Sequence, residues 1–137
     1  MRAFIDTSSL LKKYIEEDGA EEFNSLLDSI SEIIVSPITI LEVQSAVARR
    51  LKERTLKASD AQWIEKEFMT DYDFFGVVEW NDDLITESLR IIRRYQLRVL
   101  DAIQLSAALI SKSSLFITSD KRLFEFAKRE IPYSRFI

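Results

Sequence analysis

The chain has 137 residues, 47% of them apolar, and its nineteen basic and twenty-three acidic side chains give a net charge of −4. It contains no Cys and no His, which excludes disulfides, thiolate metal sites, zincin motifs, Ser-His-Asp triads and a two-histidine ribonuclease mechanism. Only two Gly and two Pro occur, so there is no glycine-rich phosphate loop of the Walker or dinucleotide-binding kind, and the length is that of a single domain spanning residues 1–137.

Residues 2–5 form a short apolar run that reads as a strand, and Thr7-Ser8-Ser9 offers N-cap side chains for a helix through Leu10, Leu11, Tyr14 and Ile15. Gly19 ends it. Phe23, Leu26, Leu27 and Ile30 then recur at helical spacing, and the β-branched run 33–35 reads as a second strand. Ser36-Pro37 opens a helix with Pro at its favoured first position, continuing to about Arg54. Ser59 caps a helix through Tyr72, residues 76–80 form a third strand, and Asn81 caps a helix through Tyr95. Asp101 begins or lies within a strongly apolar helix through Ile110. Residues 115–118 form a fourth strand, Ser119 caps the last helix, and residues 132–137 supply a fifth, edge strand. Strands alternating with helices imply an α/β fold whose mainly parallel sheet carries helices on both faces. No apolar stretch is long enough to cross a bilayer and no signal peptide is visible, so a cytoplasmic location is expected.

Four carboxylates stand at the edges of apolar segments: Asp6 after Phe4-Ile5, Glu42 after Thr39-Ile40-Leu41, Asp101 after Val99-Leu100 and Asp120 after Phe116-Ile117-Thr118-Ser119. Asp6 and Asp120 follow strands directly, at the carboxyl edge where open α/β sheets bind ligands. Together the four make an acidic pocket that needs a cation to stay ionised. An all-oxygen site of this type suits Mg²⁺ or Mn²⁺ and phosphodiester hydrolysis. The four acids also account for the whole net charge, so the acidic balance is a weak argument against a polyanionic substrate. Each acid has an ordinary structural role open to it as well. Asp6 and Asp101 can cap helices, Thr39 and Glu42 have capping-box spacing, and Asp120 can complement a helix dipole.

The segments Phe4-Ile5-Asp6-Thr7-Ser8-Ser9-Leu10, Ser36 to Val43, Leu97 to Leu105 with Ala107, and Phe116 to Leu123 together resemble PIN-domain ribonucleases, and most nearly the VapC-type toxins of toxin–antitoxin pairs. The resemblance runs over essentially the whole chain. It implies a three-layer α/β/α sandwich in which Asp6, Glu42, Asp101 and Asp120 are the metal-binding acids. It implies a Mg²⁺- or Mn²⁺-dependent endoribonuclease acting on RNA, commonly a homodimer and commonly silenced by a cognate antitoxin. One departure is Tyr95-Gln96, where many relatives carry His-Gly.

Thr7, Thr118 and Ser119 place hydroxyls beside the acids, and Arg98 stands three residues before Asp101. All four are candidate substrate contacts, with Lys121 and Arg122 as guides for the RNA backbone. Lys12 reads as a solvated helix charge, and Arg49, Arg50, Lys52, Arg54 and Lys57 as a solvated helix end. Of Trp63, Phe68, Tyr72, Phe74 and Phe75, most are expected in the core and some in a groove for an amphipathic partner helix. Two other readings compete. A phosphoacceptor receiver domain needs paired acids after the first strand, and Asp6 stands alone. A PIN-like RNA- or protein-binding module without catalysis would be favoured by loss of an acid, and all four are present.

Overall fold

The computed structural model describes residues 1–137. A five-stranded sheet in the order β3-β2-β1-β4-β5 runs through the molecule, and every neighbouring pair is parallel. The strands are β1 (Arg2–Ile5), β2 (Glu32–Val35), β3 (Gly76–Val77), β4 (Leu115–Thr118) and β5 (Ser134–Phe136). The helices are α1 (Thr7–Leu10), which tightens into a 3-10 turn at Leu11–Lys13, α2 (Ala20–Leu27), α3 (Thr39–Lys52), α4 (Ala58–Tyr72), α5 (Asp82–Tyr95), α6 (Val99–Ser111) and α7 (Lys121–Glu130).

The strand side chains alternate between the two faces, as a period of two demands. Ala3, Ile5, Val35 and Ile117 join one core with residues of α1 to α4. Phe4, Ile34 and Phe116 join the other with residues of α5 to α7. Phe4 and Phe116 are paired in register and stack with ring centroids 5.9 Å apart. Two separate cores on the two faces of one sheet make the α/β/α sandwich expected from the alternation of elements. The chain builds outward from β1 to β2 and β3, then crosses back to lay β4 on the other side of β1. The β1–β4 boundary is therefore the point where the winding reverses, and ligand crevices open at the carboxyl ends of strands at such points.

Local details depart from the sequence expectations. The third strand is two residues long: the Val78 N–H still donates to the Val35 carbonyl at 3.0 Å, and Glu79 and Trp80 lie outside the strand. Pro37 is not the first residue of α3. Ser36 to Ile38 form a turn in which the Ser36 hydroxyl accepts from the Ile38 N–H at 3.1 Å, and the helix starts at Thr39. Glu42 thus lies in the first turn of α3, rather than in the second turn that a helix opening at Ser36-Pro37 would give it. Neither Ser59 nor Ser119 is a cap: the N-cap positions of α4 and α7 are Lys57 and Asp120. Asn81 does cap α5, accepting from the Leu84 N–H at 3.0 Å. Gln96 ends α5 in the left-handed region at φ +53°, a conformation that glycine adopts without strain. Of the five clustered aromatics, Phe68 is fully buried, Tyr72 and Phe75 pack against the same core, and Trp63 and Phe74 are exposed. No helix is long and apolar enough to cross a membrane.

Candidate active site

Asp6, Glu42, Asp101 and Asp120 line a single cleft of about 840 Å³ at the carboxyl edge of the sheet. The winding reversal explains the first and last. Asp6 follows β1, and its N–H extends the ladder to the Ile117 carbonyl of β4 at 2.9 Å. Asp120 follows β4 by two residues. Glu42 and Asp101 come from the first turns of α3 and α6.

Hydroxyls stitch the start of α1 to the end of β4. The Ser8 and Thr118 hydroxyls both donate to Oδ2 of Asp6, at 2.6 and 2.8 Å. The Ser119 N–H donates to Ser8 Oγ at 3.0 Å, the Asp120 N–H to Thr118 Oγ1 at 3.0 Å, and the Ser9 and Ser119 hydroxyls pair at 2.7 Å. Asp6 occupies the N-cap position of α1 without making a side-chain cap bond. Its carboxylate turns to these hydroxyls instead.

Glu42 is held from two other elements. Thr7 Oγ1 donates to its Oε1 at 2.9 Å, and the buried Gln104 amide Nε2 donates to the same oxygen and, at 3.1 Å, to Thr7 Oγ1. The capping box with Thr39 does not form, and the buried Thr39 hydroxyl has no partner. Asp120 accepts the Leu123 N–H at Oδ1, 3.0 Å away, and so caps α7. Asp101 meets Arg98 loosely, with Nε 3.5 Å from Oδ2. The common result is that each of the four acids uses one oxygen on the protein and leaves its second oxygen without a protein partner.

The electrostatics carry the mark of this crowding. The Asp6 carboxyl stands at about 6, raised chiefly by burial. The Ser8 and Thr118 hydrogen bonds oppose that rise, and the nearby charges of Glu42 and Asp101 add to it. Burial also raises Asp101, with the Asp120 charge adding to the effect and Arg98 and Arg122 opposing it. Acids that raise one another in this way call for a cation. The donor set fits a hard divalent ion: it is all oxygen, with four unpartnered carboxylate oxygens in one cleft. No three acidic side chains are drawn together tightly enough to enclose an ion as they stand. Mg²⁺ accommodates this, since it keeps several waters and takes only one or two carboxylates directly.

The expected substrate contacts are placed unequally. Ser119 and Thr7 line the cleft, with their hydroxyls already paired to Ser9 and to Glu42. Thr118 is fully buried, so it cannot reach a substrate; its hydroxyl supports Asp6. Arg98 projects into solvent, with its side chain 75% exposed, beside Asp101.

Several functional neighbours were not anticipated. Gln104 stands three residues after Asp101, on the same face of α6, a spacing that points it at the same site. Lys12 is not solvated: it is buried, bound to the Asp18 carbonyl at 2.6 Å and to Glu17 at 3.3 Å. Arg49 and Arg50 are not merely a helix end, because both line the cleft. Arg49 lies seven residues after Glu42, again one helical face.

Residues 3–129 match the model of the PIN domain family, and the chain belongs to that family. Solved structures share the fold. A toxin–antitoxin complex from Klebsiella pneumoniae is 21% identical with a TM-score of 0.67, covering 89% of each chain. FitAcB from Neisseria gonorrhoeae is 14% identical with a TM-score of 0.71, covering 98% of this chain and 96% of that one. VapBC2 from Rickettsia felis, solved with a DNA fragment from its promoter, is 15% identical with a TM-score of 0.67, covering 100% and 99%. At these identities the likeness is one of fold. No curated protein matches the chain.

Proposed function

We propose that this PIN domain is a metal-dependent endoribonuclease of the VapC type, the toxin of a toxin–antitoxin pair. The observation that carries the reading is the cleft in which Asp6, Glu42, Asp101 and Asp120 each retain a free carboxylate oxygen. Asp6, Asp101 and Asp120 would hold Mg²⁺ or Mn²⁺, with Glu42 binding directly or through water. The ion would supply Lewis acidity at the phosphate and lower the pKa of the attacking water. With no His in the chain, a cleft carboxylate is the group left to take that water's proton. No side chain forms a covalent intermediate, and the products carry a 5′-phosphate and a 3′-hydroxyl. Ser119 in the cleft and Arg98 beside Asp101 are suited to phosphate contact, while Thr7 and Thr118 act by orienting Glu42 and Asp6.

An antitoxin partner is supported by neighbours that are themselves toxin–antitoxin complexes. A homodimer and a cytoplasmic location belong to the same reading. The test is cleavage of a mixed RNA pool by purified protein with Mn²⁺, with EDTA, and by Asp101→Asn. Cleavage confined to the wild type with metal supports the assignment. No cleavage under any condition, by protein freed of any copurified partner, favours a binding module.

A further inference from the structure

The cleft has a second half of opposite charge. Beyond Glu42, the same face of α3 presents Ser45, Arg49 and Arg50 to the cleft, and Lys12, Glu17 and Asp18 also line it, so three cations there face two acids. Arg49 is exposed and has no carboxylate partner. Arg50 Nη2 lies 3.0 Å from Glu17 Oε2, and Lys12 Nζ lies 3.3 Å from Glu17 Oε1. One internal carboxylate therefore bridges two cations inside a cleft whose third cation is free. Seven residues of helix separate Glu42 from Arg49, about 10 Å along the axis. That is the scale of a nucleotide step or two along an extended strand.

We propose that Arg49 and Arg50 form a phosphate subsite for the RNA strand flanking the scissile bond, and that Glu17 occupies it in the free protein as a stand-in anion. The proposal rests on the ribonuclease reading and adds to it where the strand runs: from the acids along α3 toward its C-terminal end. Arginine suits the task, because its guanidinium presents a planar fork of donors to phosphate. An unpaired arginine in a cleft with an acidic floor also offsets the repulsion a polyanion meets there. Glu17 makes the subsite selective, since a ligand must displace a carboxylate already held at two points, which a backbone phosphate anchored at the acidic half can do and a lone anion does poorly.

The experiment is binding of a fluorescent single-stranded RNA across a salt series, with Ca²⁺ filling the acidic half and the RNA verified intact. Arg49→Ala is expected to bind about tenfold more weakly, with a salt slope shallower by about 0.7, the value for one lost phosphate contact on a single strand. Arg49→Lys should keep most of the slope. Glu17→Gln is expected to bind more tightly than wild type. In cleavage with Mg²⁺, Arg49→Ala should raise KM with kcat unchanged, the signature of a contact made equally before and during reaction. Wild-type affinity and slope in Arg49→Ala would overturn the subsite, and unchanged or weaker binding by Glu17→Gln would overturn the stand-in role. Failure of the wild type itself to bind RNA removes the ribonuclease reading and the subsite together.

Discussion

The four cleft carboxylates divide into two pairs that are held in different ways. Asp6 and Glu42 are gripped by side chains from distant parts of the chain, Thr118 for Asp6 and Thr7 and Gln104 for Glu42, although Ser8 also holds Asp6 from two residues away. Asp101 and Asp120 are held by residues three positions away, Arg98 and Leu123. The first pair thus depends on tertiary packing, of neighbouring strand ends for Asp6 and of helices on both sheet faces for Glu42. The second pair is fixed by helix starts and needs little more than local structure. Acids held by different parts of the fold, each with one oxygen left over, would suit a hydrated divalent ion that takes only one or two carboxylates directly.

The sharpest way to break this comparison is Asp6→Asn. Cleavage should fall by at least about a thousandfold, since the substitution removes a charged oxygen from the proposed ion. Stability without metal should rise. The Asp6 carboxyl stands at about 6 against an ordinary 3.8, a displacement worth about 3 kcal/mol against the ionised folded state. The sign follows from proton binding. Between pH 4 and 6 the folded chain holds a proton that the unfolded chain has lost, so stability falls as pH rises through that window and stays low above it. Denaturant melts in EDTA at pH 4 and pH 7 should show this loss in the wild type and most of it gone in Asp6→Asn. Mg²⁺ at pH 7 should restore stability to the wild type and do less for the variant. Equal pH profiles for the two proteins would rule out a strained Asp6.

Gln104→Leu tests the grip on Glu42 without touching a carboxylate. The amide Oε1 of Gln104 is buried with no partner, so leucine removes one unsatisfied atom together with the bond to Glu42. Net stability should move by less than about 1 kcal/mol. Cleavage and Mg²⁺ affinity should fall about tenfold or more, as for other groups that orient metal ligands. Titration of Mg²⁺ against tryptophan fluorescence or melting temperature separates the two effects. Wild-type Mg²⁺ affinity would show that Thr7 alone is enough to hold Glu42.

The same division explains what could be read from the sequence. The sheet, its parallel sense and the placement of Asp6 and Asp120 at the strand ends follow from alternation of apolar runs and helical stripes. The start of α3 is not legible in this way, because Ser36-Pro37 has the composition of a helix N-terminus and only the turn closed by Ser36 Oγ on Ile38 shows otherwise. Gln104 and Thr118 act through contacts 62 and 112 residues away, and no local pattern reports such partners. Arg49 and Arg50 are an intermediate case. Counting from Glu42 by the helical period places Arg49 on the site face, but Arg49 to Lys57 also reads as an ordinary charged helix end, and only the packing of α3 across the cleft decides between them.

A smaller effect separates the two functions of Asp120. Its Oδ1 caps α7 through Leu123, while Oδ2 is free for the proposed ion. Asn is as good a cap as Asp, and alanine is not. Asp120→Asn should therefore lose cleavage with almost no change in melting temperature, whereas Asp120→Ala should lose cleavage and about 1 kcal/mol of stability. If both variants melt alike, the cap contributes nothing and Asp120 is held by packing instead.

The smallest expected change in stability belongs to Arg98, and its smallness is informative. Its side chain is 75% exposed and its Nε lies 3.5 Å from Asp101, a solvent-screened pair worth well under about 1 kcal/mol. Arg98→Gln should melt within about 0.5 kcal/mol of wild type. Arg98 nonetheless draws the Asp101 carboxyl down, opposing burial and the Asp120 charge. Without it, Asp101 should hold its proton to higher pH, so the acid limb of the cleavage profile should shift upward in pH. The shift should be larger at subsaturating Mg²⁺, because bound cation replaces the missing arginine charge. A profile that keeps its acid limb would mean that Arg122 and the ion together already hold Asp101 ionised, leaving Arg98 only the proposed phosphate contact.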